Sequence, residues 1–394
     1  MRQAGNRVRA ANLHIAAQLI LGIYAFVLAL TGFKDAWQLA FASEGSASFV
    51  EGMLETALST PLSSLFAGVI ITSLIQSSSA TIALVVATVA SGAITTGESV
   101  YLLMGANIGT TITNTIVGLA HVHQPEMFRR LLPAVIIDDV FKMLNVSLFF
   151  TLELLTGFLH EMSGATIEAW EKLRFASSAL HGFPDVIDLV TEPFGAAVVF
   201  ALQGLPLTVG LQALLAGILF FALLILALGM MRGALDHYLK DTGRRVVQKV
   251  FGGSAQAFAI GFALCWLLQS SSVTVSLILP LVAHSGVTLP TVYYYSVGAA
   301  LGTTCDAGQL LSYFKFGPVG LAAGLIHIYL NLFGALVFLF VPGVRRLPII
   351  LAGEIAGFMA RYSNAPLLLL GYVAVLFFAL PIAVIAALQV VAGA

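Results

Sequence analysis

Two nearly identical polar phrases interrupt apolar stretches of this chain. Residues 76–81 read Gln-Ser-Ser-Ser-Ala-Thr, and residues 269–274 read Gln-Ser-Ser-Ser-Val-Thr. Hydroxyl and amide groups are costly to place in a bilayer core, because lipid offers them no hydrogen-bond partner. A costly phrase that occurs twice therefore predicts two half-sites that bind a polar ligand between them.

A second pair of phrases follows the first at a fixed distance. Residues 105–111 read Gly-Ala-Asn-Ile-Gly-Thr-Thr, and residues 298–304 read Gly-Ala-Ala-Leu-Gly-Thr-Thr. Both pairs recur at an offset of 193 residues, which indicates one internal repeat. The alternative for the glycines is helix packing, since small residues four apart are common where membrane helices meet.

The serines of the first pair of phrases could bind an anion. Serine is a favoured N-cap residue, and the first backbone N–H groups of a helix have no partner within the helix. A helix beginning here would present those N–H groups, a partial positive charge and hydroxyl donors to a tetrahedral oxyanion. The serines expected to bind it are Ser77, Ser78, Ser79, Ser270, Ser271 and Ser272.

The amides and threonines beside the serines could hold a cation. Hard cations prefer oxygen ligands such as carbonyl groups, and we place sodium in this class. The glycines would let a helix open locally and expose such oxygens. The residues expected to supply them are Gln76, Thr81, Asn107, Thr110, Thr111, Gln269, Thr274, Thr303 and Thr304.

Ionisable residues inside apolar segments are functional candidates as well. Asp138 and Lys142 are four residues apart, so they could form a buried structural ion pair or act in the site. Asp139 would face about 100° away on the same helix and is expected to bind a cation. Asp306 is a further carboxylate in apolar surroundings, with no partner evident from the sequence.

The composition predicts a membrane protein. Of the 394 residues, 59% are hydrophobic and only 9% are charged, and apolar runs of about 20 residues are long enough to cross a bilayer as helices. The net charge of −1 gives no electrostatic basis for binding nucleic acid. No zinc-ligand spacing, P-loop or dinucleotide-binding glycine motif occurs in the sequence, so we expect no cofactor.

The fold expected is an all-α polytopic membrane protein. Two apolar blocks, 61–92 and 254–286, are interrupted by the serine phrases, so each half is too short to cross and would form a re-entrant hairpin. Uninterrupted spans are expected near 11–32, 98–120, 131–157, 205–231, 291–314, 318–342 and 365–392.

The distribution of charge predicts an inverted-topology repeat. Basic segments are expected to face the cytoplasm, and the two segments richer in Asp and Glu to face outward. The two hairpins then enter from opposite faces, as in many secondary transporters. The expected organisation is a cytoplasmic N-terminus 1–10, repeat 11–158, an extracellular linker 159–203, repeat 204–342, and 343–394 with a cytoplasmic loop and an additional C-terminal transmembrane helix.

Several motifs, occurring in order, resemble the type II sodium/phosphate cotransporter family. They are the two Gln-Ser-Ser-Ser phrases, residues 104–117, residues 128–130, the Asp139 segment, and the residues His327, Asn331 and Gly334. The resemblance implies sodium-coupled symport of inorganic phosphate by alternating access, with the serines on phosphate. It further implies sodium near Gln76, Gln269, Thr303 and Thr304, and an additional sodium ion at the position of Asp139.

The resemblance also implies a place in the cell. The chain lacks the long glycosylated loop of the animal members, so a bacterial inner-membrane protein is expected, with a lipid bilayer around it. A homo-oligomer is left open.

Two positions depart from the family pattern. Lys142 stands where an asparagine is usual, and Ala300 and Leu301 stand where Asn and Ile are usual. The ammonium of Lys142 could replace one sodium ion or pair with Asp138, and Asp306 could partly compensate for the oxygen that Ala300 lacks.

Two other functions are compatible with parts of the sequence. A transporter of another oxyanion, or proton-coupled phosphate transport, would use the same polar phrases. An intramembrane serine hydrolase would pair Ser77 or Ser270 with His284 or His327. The hydrolase is disfavoured, since the chain contains no Gly-x-Ser-x-Gly elbow.

Overall fold

Helices form the framework of the molecule. The computed structural model describes residues 16–29, 60–90, 94–173, 200–238, 249–285, 287–305 and 317–392, and a few residues between these ranges. Within them every regular element is a helix. Four helices are long and apolar enough to cross a membrane: Thr96–Leu119, Val209–Ala227, Gly317–Phe340 and Ala365–Val391. The prediction of an all-α membrane protein is confirmed.

The α-helices are numbered here in chain order. They are α1 Ala16–Ala29, α2 Pro61–Ile75, α3 Ser78–Ala90, α4 Thr96–Gly109, α5 Ile112–Leu119, α6 Pro125–Thr156, α7 Phe158–Leu173, α8 Val209–Tyr238, α9 Ser254–Leu268, α10 Ser271–Ser285, α11 Leu289–Thr304, α12 Gly317–Phe340, α13 Leu347–Ala360, α14 Ala365–Ala374 and α15 Leu380–Ala392. A π-helical turn, Val375–Ala379, joins α14 to α15.

Each serine phrase breaks an apolar block into two short helices. Gln76 and Gln269 adopt left-handed backbone conformations, with φ of 58° and 55°, and they are the only described non-glycine residues with positive φ. The helices on either side have 13 to 15 residues, or about 20–23 Å at 1.5 Å per residue. That is shorter than the hydrocarbon core of about 30 Å. The predicted interruptions are therefore present.

The internal repeat is visible in the helix boundaries. The first residues of α2, α3 and α4 recur 193 residues later as the first residues of α9, α10 and α11. We call α2–α5 the first helix set and α9–α11 the second helix set. The equal spacing shows that the repeated sequence folds into the same succession of helices.

Glycine allows the same close approach in both helix sets. A Cβ on Gly105 would lie 2.0 Å from the carbonyl oxygen of Leu65, and a Cβ on Gly298 would lie 2.1 Å from that of Phe258. Gly68 meets Leu102 and Gly261 meets Tyr295 in the same equivalent way. Backbone therefore packs directly on backbone between α2 and α4 and between α9 and α11, which supports the helix-packing role of these glycines.

The long helix α6 contacts both helix sets. It packs against α4 and α5 of the first set and against α10 and α11 of the second. Its middle section from Leu131 to Lys142 is mostly buried, including three charged residues. Helix α6 is thus the element that brings ionisable side chains to the contact between the two sets.

Two helices lie in segments that the sequence assigned to a linker and a loop. Helix α7, Phe158–Leu173, begins one residue before the predicted extracellular linker 159–203 and continues into it, and α13 spans Leu347–Ala360, within the predicted cytoplasmic loop. Basic residues flanking the apolar run of α13 favoured the loop interpretation. Helix α13 packs against α6, and α7 packs against α12, so tertiary contacts stabilise both helices.

Candidate anion and cation site

The first serine of each phrase caps the helix that follows it. Ser77 Oγ accepts a hydrogen bond from the Ala80 backbone N–H at 3.2 Å, and Ser270 Oγ accepts one from that of Val273 at 3.3 Å. An oxygen that accepts in this way keeps its own proton for an outward hydrogen bond. Both phrases therefore form the capped helix ends expected from the sequence.

The threonines of these phrases are tied to the same helix ends. Thr81 Oγ1 donates to the Ser77 carbonyl at 3.0 Å, and Thr274 Oγ1 donates to the Ser270 carbonyl at 2.7 Å. Their remaining lone pairs are the oxygens that a cation could use. The second copy is the more buried of the two, since Ser271 is buried whereas Ser78 is half-buried.

Helix α4 ends at Gly109 and α5 begins at Ile112, so the helix is interrupted at Thr110 and Thr111. Ser272 Oγ donates to the Thr110 carbonyl at 3.1 Å, which joins the second serine phrase to this break. Thr113 donates to Gln76 Oε1 at 3.3 Å, which joins the first serine phrase to α5. The structure thus brings both serine phrases to one glycine-threonine break.

The ion pair left open by the sequence is formed. Lys142 Nζ lies 3.2 Å from Asp138 Oδ2 and donates to Thr110 Oγ1 at 3.0 Å. Asn114 Nδ2 also donates to Asp138 Oδ2, at 3.3 Å, and accepts from Ser276 through Oδ1 at 3.1 Å. Both charged side chains are buried, with 2% of their surface exposed.

Asp139 is buried in a different environment. It is 0% exposed, and among the described residues neither carboxylate oxygen has a hydrogen-bond partner. The hydroxyls of Thr111 and Tyr372 lie close to it, without meeting the geometry of a hydrogen bond. An uncompensated carboxylate at this depth is costly, so Asp139 is the described side chain most in need of a cation.

The two glycine-threonine phrases also bury amide and hydroxyl groups. Asn107 Nδ2 donates to Asn331 Oδ1 at 3.2 Å, which joins α4 to α12. In the second copy Thr304 Oγ1 donates to the Leu301 carbonyl, whereas the buried Thr303 Oγ1 has no described partner. Ala300 supplies no amide equivalent to that of Asn107. Asp306, the residue expected to compensate, lies outside the described residues.

Sequence reasoning missed a second chain of polar contacts. Gln309 Nε2 donates to Ser79 Oγ at 2.8 Å, and Tyr313 donates through its hydroxyl to Gln309 Oε1. Tyr313 Oη also lies 3.5 Å from Nδ1 of the buried His327. The spacing of Gln309 and Tyr313 by four residues in an apolar segment was the only signal available in the sequence.

Asn145 was missed as well. It is 0% exposed on α6 and donates to the Leu330 carbonyl at 3.2 Å, with its side chain against Gly334. Nothing described joins His327 to Ser77 or Ser270, and the side chain of His284 lies outside the described part of the chain. The described contacts therefore offer no support for the serine hydrolase.

Together, the helices and the polar groups buried between them define a multi-pass membrane protein. Residues 16–184 and 223–382, most of the chain, match the family described as Na+/Pi-cotransporter. The chain belongs to that family.

Individual relatives agree with the family match. The chain is 28% identical to Sodium-dependent phosphate transport protein 2A of Rattus norvegicus over 92% of its own length and 66% of that protein. It is 26% identical to Sodium-dependent phosphate transport protein 2B of Homo sapiens, over 93% of its length and 64% of that protein. The chain thus spans a little under two thirds of these relatives. No solved structure shows a significant match to it.

Proposed function

We propose that this protein is a secondary active transporter that couples sodium ions to the movement of inorganic phosphate. The observation that carries the proposal is that hydrogen bonds tie both serine phrases to the α4–α5 segment, near a buried carboxylate that has no hydrogen-bond partner among the described residues. Helix ends of this kind favour anions, and the carboxylate favours a cation. Relatives named as sodium-dependent phosphate transport proteins support the same ligands.

The serine-capped helix ends are the proposed phosphate site. The hydroxyl of Ser77 is left to donate outward because its oxygen already caps α3, and the same holds for Ser270 on α10. Backbone N–H groups of the first turns add further donors. The phosphate ligands proposed are Ser77, Ser78, Ser79, Ser270, Ser271 and Ser272.

The proposed sodium ligands come from the two serine phrases, the end of α4 with the break at Thr110 and Thr111, the end of α11, and α6. Asp139 supplies the charge, and amide and hydroxyl groups supply neutral oxygens. The proposed ligands are Gln76, Thr81, Asn107, Thr110, Thr111, Asp139, Gln269, Thr274, Thr303 and Thr304. Sodium bound here would offset the charge of phosphate and so make binding of the two ligands cooperative.

An inverted repeat would let this site open to either side. We infer that α2–α3 and α9–α10 are re-entrant hairpins from opposite faces of the membrane, since no helix among the four reaches bilayer length. Identical packing in the two helix sets supports two units that rock around the site. The basic residues of the N-terminal segment favour a cytoplasmic N-terminus, and we infer that the membrane is the plasma membrane, the inner membrane of a bacterium.

Uptake by reconstituted vesicles tests the function. Purified protein in proteoliposomes should accumulate radiolabelled phosphate when sodium chloride is placed outside and choline chloride inside. Equal uptake with choline on both sides would reject sodium coupling. An imposed pH gradient in place of sodium tests proton coupling, and competition by sulfate or arsenate tests other oxyanions.

A further inference from the structure

Three charged side chains are buried together in the middle of α6. Asp138, Asp139 and Lys142 are each no more than 2% exposed, and their formal charges sum to −1. Glu153, the other buried charged residue described on α6, is 14 residues from Asp139. That is about 21 Å along a helix. Along α6, the three residues therefore form a buried charged cluster that is separate from Glu153.

Lys142 has the oxygen neighbours that a small cation would use. Its ammonium lies 3.2 Å from a carboxylate oxygen of Asp138 and 3.0 Å from the hydroxyl oxygen of Thr110. The Thr110 hydroxyl meanwhile donates to the Asn107 carbonyl at 3.0 Å, so its lone pair faces the ammonium. One carboxylate and one neutral oxygen around a positive charge constitute part of a cation site.

The ammonium also lies where the two helix sets meet. The Thr110 carbonyl accepts from Ser272 of α10, and Asn114 links Asp138 to Ser276 of the same helix. Ser272 belongs to the second serine phrase. A positive charge at Lys142 is thus connected to the proposed phosphate site through Thr110.

We propose that Lys142 is a tethered cation, which permanently occupies one cation position of the transport site. This inference rests on the proposed function. With Lys142 present, Asp139 is the one carboxylate of this cluster that needs a mobile cation. Without its ammonium, Asp138 would also be uncompensated, and a sodium ion would bind between Asp138 and Thr110. The side chain therefore lowers by one the number of sodium ions moved per phosphate.

The ratio of the two fluxes measures this number. Wild type, Lys142→Gln and the charge-conserving Lys142→Arg are reconstituted, and initial uptake of radiolabelled sodium and phosphate is compared. Lys142→Gln should move one more sodium ion per phosphate than wild type, and Lys142→Arg the same number. An unchanged ratio in Lys142→Gln overturns the proposal.

A double variant separates charge from packing. Asp138→Asn combined with Lys142→Gln removes both members of the pair and restores a cluster charge of −1, so its flux ratio should return to that of wild type. A double variant that keeps the raised ratio of Lys142→Gln contradicts a role for charge balance.

Thermal unfolding provides a measurement without transport. A ligand that binds only the folded protein raises its unfolding temperature. Exchanging choline chloride for sodium chloride, with phosphate absent, should therefore raise the unfolding midpoint of Lys142→Gln more than that of wild type. Equal shifts would refute the tethered cation even if Lys142→Gln does not transport. If wild type shows no sodium-driven phosphate uptake, the proposed function is wrong. The comparison of unfolding midpoints still tests the tethered cation in that case.

Discussion

The side chain of Ser272 donates a hydrogen bond to the backbone carbonyl of Thr110, 3.1 Å away, and so joins the second serine phrase to the first glycine-threonine break. The residues are 162 positions apart, and each belongs to a different copy of the repeat. This contact makes the two copies unequal, because Ser79, the equivalent of Ser272, instead accepts from Gln309. Each serine can therefore be tested for its own contribution.

Removing the capping serines should impair phosphate binding at both helix ends. Ser77→Ala and Ser270→Ala each lose the hydroxyl that caps the helix, at about 1 kcal/mol of stability, and the outward donor that we assign to phosphate. We expect the phosphate concentration for half-maximal uptake to rise about tenfold in each, equivalent to about 1.4 kcal/mol of binding energy. Initial uptake rates at varied phosphate measure this.

Thr88→Ala is the matched control for the capping serines. Thr88 is on α3, where its hydroxyl donates to the Leu84 carbonyl, far from the serine-capped start of the helix. Its phosphate dependence should match that of wild type. If both serine variants also behave as wild type, the assigned phosphate site is wrong.

Replacing Gln309 should weaken phosphate binding through Ser79. Gln309 donates to the Ser79 oxygen, which leaves the serine proton for the anion. In Gln309→Glu, a carboxylate would accept the proton of the Ser79 hydroxyl and repel phosphate. The phosphate concentration for half-maximal uptake should therefore rise, while the maximal rate of uptake should change less. Tyr313→Phe removes the donor that orients the amide and should act in the same direction, more weakly.

Neutralising Asp139 should change the response to sodium. Asp139→Asn retains the shape of a fully buried side chain and removes the charge that we assign to a sodium ion. We expect at least a tenfold rise in the sodium concentration for half-maximal uptake, which corresponds to about 1.4 kcal/mol or more. A sodium dependence identical to that of wild type would exclude Asp139 as a ligand.

Adding a methyl group at the packed glycines should disrupt folding equally in both copies. Gly105→Ala and Gly298→Ala would place Cβ 2.0 and 2.1 Å from a backbone carbonyl oxygen, which cannot move as a side chain can. Overpacking of this kind costs about 1–3 kcal/mol or more. Lower yields of monodisperse protein and lower unfolding temperatures are the expected readouts.

The neighbouring helix α13 offers the control for these glycines. Gly353 has no atom within 4 Å of an added Cβ, and Ala is favoured over Gly in a helix by about 1 kcal/mol. Gly353→Ala should therefore fold as well as wild type. Normal stability of both Gly105→Ala and Gly298→Ala would contradict the close helix packing.

The sequence by itself determined the local features of this protein. Helix breaks at Gln76 and Gln269 followed from polar groups inside apolar runs, and serine caps followed from the donors at a helix start. The repeat offset of 193 residues found in the sequence is also the spacing between the first residues of α2–α4 and those of α9–α11. These properties depend on residues close together in the chain, and so can be read from it.

Only the tertiary structure decided which distant groups meet. It paired Lys142 with Asp138 and Thr110, left Asp139 without a described partner, and brought Gln309 to Ser79. It also stabilised α13, whose flanking charges had favoured a loop. Contacts between segments far apart in sequence depend on how helices pack, and periodicity along one helix carries no information about the neighbour that its buried face will contact.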